Sequence, residues 1–127
     1  MKRDVLMSIR PEYAAMIYAG KKTVEFRRRL PDTAGGWRKF YIYETLPVGK
    51  VTGWVAIQAV SVAPVDVIWG VFGKNGGIHH DDFKSYVDGA KSVWALILAK
   101  VYPFAEPLPL SSFGIDKAPQ NYRYIYH

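Results

Sequence analysis

Eleven glycines and eight prolines fall at short intervals between the apolar runs of this 127-residue chain. Each interrupts a helix or strand ladder, so the chain reads as a compact fold of short strands with few and brief helices. The longest apolar stretches, Val51 to Pro64 and Val93 to Ala99, are broken by Gly, Gln or Ser or fall short of the roughly 20 residues a bilayer requires. The chain is therefore not expected to span a membrane. Half of the residues are apolar or aromatic and 22% are charged, a balance that supports a buried core. The length suits one domain over residues 1–127.

With no cysteine, disulfides, thiolate metal sites and cysteine nucleophiles are excluded. Met1-Lys2-Arg3-Asp4 is followed by no apolar core with a small-residue cleavage site, so no signal peptide is evident and a cytoplasmic location is expected. Charge is unevenly placed. Residues 1–50 hold 11 Lys/Arg against 5 Asp/Glu, and residues 51–127 hold 6 against 6, which puts the whole net charge of +6 in the first 50 residues. Such asymmetry favours a polyanionic partner, most often nucleic acid or nucleotide. A basic surface that serves solubility is the plainer alternative.

Val5 to Ile9 reads as a strand and Pro11 as the first turn of a helix, since proline lacks only an N–H that would be orphaned there. Tyr13, Met16 and Ile17 recur at helical spacing, and Gly20 is placed to close the helix in the left-handed conformation. From Thr23 to Arg29, Val24 and Phe26 alternate with Glu25, Arg27 and Arg29, as in a half-buried strand. Leu30 to Trp37 reads as a loop, Lys39 to Glu44 as a strand, and Val51 to Val62 as a long strand with a bulge or bend at Gly53. Pro64 to Phe72 forms a short helix burying Ile68, Trp69 and Phe72. Gly73 to Gly77 is a flexible connection, and His79 to Asp88 a helix with Phe83, Tyr86 and Val87 on one face. Ser92 to Tyr102 is a strand, followed by a loop containing Pro103, Pro107 and Pro109. Asn121 to Tyr126 alternates in a way that would close the sheet.

Ser8-Ile9-Arg10-Pro11, followed by Gly20-x-Lys22-x-x-Glu25-x-Arg27, resembles the signature of the ASCH domain family. The aromatic strand Phe40 to Glu44, the strand containing Gly53, and Phe83-x-x-Tyr86-x-x-Gly89 running into Trp94-Ala95-Leu96 extend the resemblance over most of the chain. It implies an α+β, mainly β, PUA-like fold: a small, partly closed β-barrel with short helices at its ends and a cleft lined by the signature residues. The implied partner is RNA or a nucleotide, held in a basic cleft built on the signature, with no cofactor. Some members of the family resemble small hydrolases, including an amidohydrolase subgroup on acylated cytidines and members with ribonuclease activity. In that subgroup a Lys and a Thr of the signature strand act with a later Glu. Lys22 matches the Lys, whereas Glu25 stands at the Thr position and Gly73 to Ile78 carries no acid.

The candidate nucleic-acid or nucleotide-binding residues are Ser8, Arg10, Lys22, Glu25, Arg27, Arg28 and Tyr43. Lys22 and Arg27 offer contacts to phosphate or carbonyl oxygens, and Glu25 accepts base N–H groups or serves as a general base. Strict alternation puts Lys22 with Val24, so the grouping requires the turn after Gly20 to re-aim the lysine. An ion-paired strand face is the competing reading. Arg10 meets a phosphate beside the helix N-terminus or pairs with Glu12 or Glu25. Arg27-Arg28-Arg29, with Arg38 and Lys39 across the loop, suits counterion release from a nucleic-acid backbone. Tyr41 and Tyr43 face away from Phe40 and Ile42 and either stack bases or pack the barrel. His79-His80-Asp81-Asp82 reads as a cap and first helical turn, since no third cluster completes a metal site. The alternative to a binding module is a small metal-independent hydrolase with Lys22 as nucleophile or base and Glu25 as proton shuttle.

Overall fold

The computed structural model describes residues 3–30 and 37–125, with backbone alone at residues 37 and 38. Six strands, β1 (Arg3–Ile9), β2 (Val24–Arg27), β3 (Trp37–Glu44), β4 (Lys50–Pro64), β5 (Ser92–Leu108) and β6 (Tyr122–Ile125), form one sheet. Their spatial order is β2-β5-β4-β3-β1-β6. Neighbours run antiparallel except β1 and β3, which are parallel. Three short helices, α1 (Pro11–Tyr18), α2 (Val65–Phe72) and α3 (His80–Tyr86), fill the connections. None is long and apolar enough to cross a membrane.

Period-two alternation in β1 and β3 sorts their side chains between two cores. Val5, Met7, Ile9, Phe40 and Ile42 point inward beneath Ala14 and Ile17 of α1. Leu6, Tyr41 and Tyr43 point the other way, where Ile115 and Ile125 bury them with Leu110 and Phe113 packed alongside. A third cluster joins Val24 and Phe26 of β2 to Ile68 of α2 and Phe83 of α3. Both faces of β1 are covered, which is why Asp4–Ile9 reads as one uninterrupted buried run.

β4 and β5 form a long antiparallel pair. Its register shifts between Val51 and Gly53, between Ala56 and Ile57 and between Ile57 and Ala59. A Cβ on Gly53 would lie 2.6 Å from the Tyr102 carbonyl oxygen, so only glycine permits this approach. The expected loop after Tyr102 is corrected here, because β5 continues through Pro103 and Pro107 to Leu108. The missing proline N–H groups are tolerated because β2 covers β5 only at Trp94–Ile97, leaving the later part as a sheet edge. β6 pairs with β1 and, in contrast to the expectation that it would close the sheet, it ends it. The sheet stays open, and a side chain bridges it: Arg27 of β2 reaches β1, with Nη2 donating to the Ser8 carbonyl at 2.6 Å and Nε to Met7 Sδ at 2.9 Å. Most of the expected Leu30–Trp37 loop and the Arg38 and Tyr126 side chains lie outside the described residues.

Candidate functional site

The site begins with the turn that ends α1. Gly20 adopts φ of +77°, and the N–H groups of Lys21 and Lys22 both donate to the Met16 carbonyl, at 2.9 and 3.1 Å. This tight reversal rotates Lys22 out of strand register and into the protein, where it is 3% exposed. Its ammonium donates to the carbonyls of Val24, at 2.9 Å, and Gly76, and lies 3.2 Å from Glu25 Oε1. All three ammonium protons therefore have an acceptor. The rings of Tyr13 and Phe26 flank the charge at 5.5 and 5.6 Å.

Glu25 sits between two cations. Its second oxygen lies 3.3 Å from Arg27 Nε, and its side chain remains 12% exposed toward a cleft. Lys22, Glu25 and Arg27 thus form a fixed floor, with Arg27 anchored in turn on β1. Buried ion networks repay their desolvation poorly in stability, so this one is better understood as a device for holding geometry.

The cleft above the floor has a volume of about 900 Å³. β1 contributes Ser8 and Ile9; Ser8 Oγ donates to the Pro119 carbonyl at 2.6 Å. Arg10, Glu12, Tyr13 and Met16 line it from the start and inner side of α1. The opposite wall is Gly77, Ile78 and His79, followed by Asp82, Ser85 and Tyr86 of α3. The Tyr13 hydroxyl is held above its ordinary pKa by burial, then by Asp82, with Glu12 and Glu25 adding to this and Arg10 opposing it. It stays an O–H donor across the physiological range. The basic cleft expected on the signature residues is corrected, because its walls are electrically balanced: Arg10, Lys22 and Arg27 face Glu12, Glu25 and Asp82. Among the described residues no three His, Asp or Glu side chains come together to hold a metal ion.

Of the residues expected from sequence, Ser8, Arg10, Lys22, Glu25 and Arg27 meet in this cleft. Arg28 is exposed, does not line it, and meets α3 through its backbone N–H, 3.2 Å from the Tyr86 hydroxyl. Tyr43 faces the opposite side of the sheet and is 6% exposed in the Leu6–Ile115 cluster, so of its two expected roles it packs the core, and its listing among the ligand-binding residues is corrected. The segment carrying Leu110, Phe113 and Ile115 covers that face. The connection Gly73 to Gly77 is likewise no slack loop. It forms a 3-10 turn at Gly73–Asn75, and Gly76 packs so closely on Phe26 that a Cβ would lie 2.2 Å from the ring. His79 takes the N-cap position of α3 without a side-chain cap bond, and His80 stacks on Trp69 at 4.6 Å. Thr45, Asp82, Ser85 and Gln120 are wall residues that no sequence signal places there, and the helical spacing of Tyr13 and Tyr86 marks them only as members of the apolar faces of α1 and α3.

An open, mainly β sheet with short helices and a signature-lined cleft defines the class of protein. The family model for the ASCH domain matches residues 7–98, and the chain belongs to that family. It is 33% identical over 102 residues to an ASCH domain-containing ribonuclease of Zymomonas mobilis, covering 80% of this chain and 68% of the relative. The crystal structure of a serine-to-alanine variant of the Zymomonas mobilis ASCH protein superposes with a TM-score of 0.88 at 29% identity, covering 98% of this chain and 89% of that one. The N-terminal domain of Staphylothermus marinus McrB is alike in fold alone, with a TM-score of 0.52 at 12% identity over 88% of this chain and 79% of that one.

Proposed function

We propose that the cleft receives one nucleotide of single-stranded RNA. The observation that carries this reading is the Glu25 carboxylate, held between Lys22 and Arg27 and still presented to a cleft of about 900 Å³. Paired with two cations, it is an ionised acceptor of fixed direction, suited to the N–H edge of an unstacked base. Arg10 at the mouth takes the phosphate, and Tyr13 and Ser85 supply hydroxyls for the sugar or base. The balanced wall charge fits one nucleotide better than a continuous phosphate track. Fluorescence anisotropy with a labelled short RNA tests this: Glu25→Gln and Arg10→Ala should each weaken binding about tenfold, the loss of one charge-assisted contact. Equal affinities for all three proteins would overturn it.

A second reading, cleavage of the bound RNA, is favoured by the similarity to the Zymomonas mobilis ribonuclease. Glu25 takes the proton of the ribose 2′-hydroxyl, whose oxygen attacks the adjacent phosphorus. The P–O5′ bond breaks, and the departing oxygen takes a proton from a wall group such as His79 or Tyr13. Arg10 and Arg27 stabilise the charge that builds on the non-bridging phosphate oxygens. Lys22, with its three N–H groups already committed, acts by holding Glu25 and not as a nucleophile. Mass spectrometry of a ten-nucleotide RNA incubated in EDTA should show 2′,3′-cyclic phosphate ends with the unsubstituted protein and none with Glu25→Gln. Intact RNA in both would dismiss cleavage, while the anisotropy result decides binding.

A further inference from the structure

The balance of charge in the cleft raises a question of placement. Three cations there are matched by three carboxylates, so the excess of +6 carried by the chain is displayed elsewhere. On one surface cations lie beside a half-buried tryptophan, Trp54, and an exposed tyrosine, Tyr102. On the face of the sheet that carries Tyr41, Trp54 of β4 lies opposite Tyr41 on one side and Tyr102 of β5 on the other. The Trp54 and Tyr102 rings stack with centroids 4.1 Å apart and planes 18° from parallel. Lys39 of β3 places its ammonium 5.0 Å from the Trp54 centroid. Lys100 is two residues from Tyr102 in unbroken register and shares its face, opposite the small side chain of Ala56.

This ladder is open at one end. β2 pairs with β5 only at Trp94–Ile97, so the strand position beyond Tyr102 is vacant in the sheet order. Tyr102 is 39% exposed, with the Trp54 ring stacked against it. A flat aromatic group set against Tyr102 would extend the ladder by one rung, at the same spacing that already separates the two rings.

We propose that Lys39, Trp54, Tyr102 and Lys100 form a second contact surface for single-stranded RNA, outside the cleft. A base stacks on Tyr102, and the two lysines hold the flanking phosphates. Stacking is tolerant of base identity because every base has a π-face, so this surface adds affinity while the cleft reads the nucleotide. The inference rests on the RNA reading above only for the identity of the polymer. Lysines beside stacked aromatics complement a polyanion of planar groups, which is the argument for this occupant over an apolar protein surface.

The test compares a dinucleotide with a ten-nucleotide uridine RNA. Tyr102→Ala should weaken the ten-mer about tenfold, the usual worth of one base–aromatic stack, and leave the dinucleotide unchanged. Combined Lys39→Ala and Lys100→Ala should lower the slope of log affinity against log salt by about 1.4 for the ten-mer. Tryptophan fluorescence quenched by the ten-mer should lose its largest component in Trp54→Phe, a readout independent of affinity. Unchanged ten-mer affinity in Tyr102→Ala, with loss in Arg10→Ala, overturns the second surface and leaves the cleft reading standing. Loss in Tyr102→Ala with no effect of Arg10→Ala supports this surface and overturns the cleft reading instead.

Discussion

Lys22 and Glu25, three residues apart, form an ion pair of 3.2 Å at the start of a strand whose alternation would place them on opposite faces. The turn after Gly20 removes the conflict by spending two N–H groups, those of Lys21 and Lys22, on the single carbonyl of Met16. The family signature therefore works as a geometric unit: glycine reverses the chain, lysine is driven inward, and glutamate and arginine follow in strand register.

Replacing Lys22 by Met should destabilise the protein by about 3 kcal/mol, because the Val24 and Gly76 carbonyls lose their donor and Glu25 keeps Arg27 alone. Urea unfolding would measure this. A loss below 1 kcal/mol would show that the lysine is not the clamp described here.

Gly76→Ala should cost about 2 kcal/mol. Its Cβ would lie 2.2 Å from Cε2 of Phe26, a buried ring packed edge-on against Phe83 at 4.9 Å, so the core under the cleft must shift. Thermal unfolding should show a lowered midpoint, and RNA binding should weaken with it since the same turn holds Lys22. Gly70→Ala, where no atom lies within 4 Å of the added Cβ, serves as the control and should be neutral or slightly stabilising.

Tyr18 gives the fold an alkaline limit. Burial pushes its hydroxyl up to about 12, with Glu44 adding to this and the 2.7 Å hydrogen bond to Thr52 opposing it. The folded protein keeps this proton above the unfolded value near 10, so the contribution is intact below pH 10 and is lost as pH rises from 10 toward 12. Allowing for partial exposure, the loss amounts to roughly 1–2 kcal/mol. Urea unfolding at pH 9 and pH 11 should show a smaller drop for Tyr18→Phe than for the unsubstituted protein; equal drops would contradict the assignment.

What could be read before the structure follows from how local each signal is. Pro11, Gly20 and the Val24/Phe26 alternation act within a few residues, and the elements they predict stand as expected. Gly53 likewise marked the register shift that β4 makes beside it. The cleft floor was legible only through the family signature, since alternation alone separated Lys22 from Glu25. The far wall was not legible at all, because α3 reaches the cleft through packing of Phe83 on Phe26, a contact between residues far apart in the chain. Tyr43 was sorted to the correct face of β3, but nothing near it in sequence announces that Ile115 and its neighbours return to bury that face. The prolines after Tyr102 signalled a loop because proline forbids a central strand, and β5 escapes that rule by running on past its partner β2.

The central claim is that a nucleotide occupies the cleft floored by Lys22, Glu25 and Arg27. Backbone and arginine side-chain NMR shifts, followed while titrating a trinucleotide RNA, test it most directly. The account predicts shifts concentrated at Ser8, Arg10, Tyr13, Glu25, Arg27 and Gly77, all of which line the cleft. Shifts confined to other surfaces, with these residues unmoved at saturation, would contradict it.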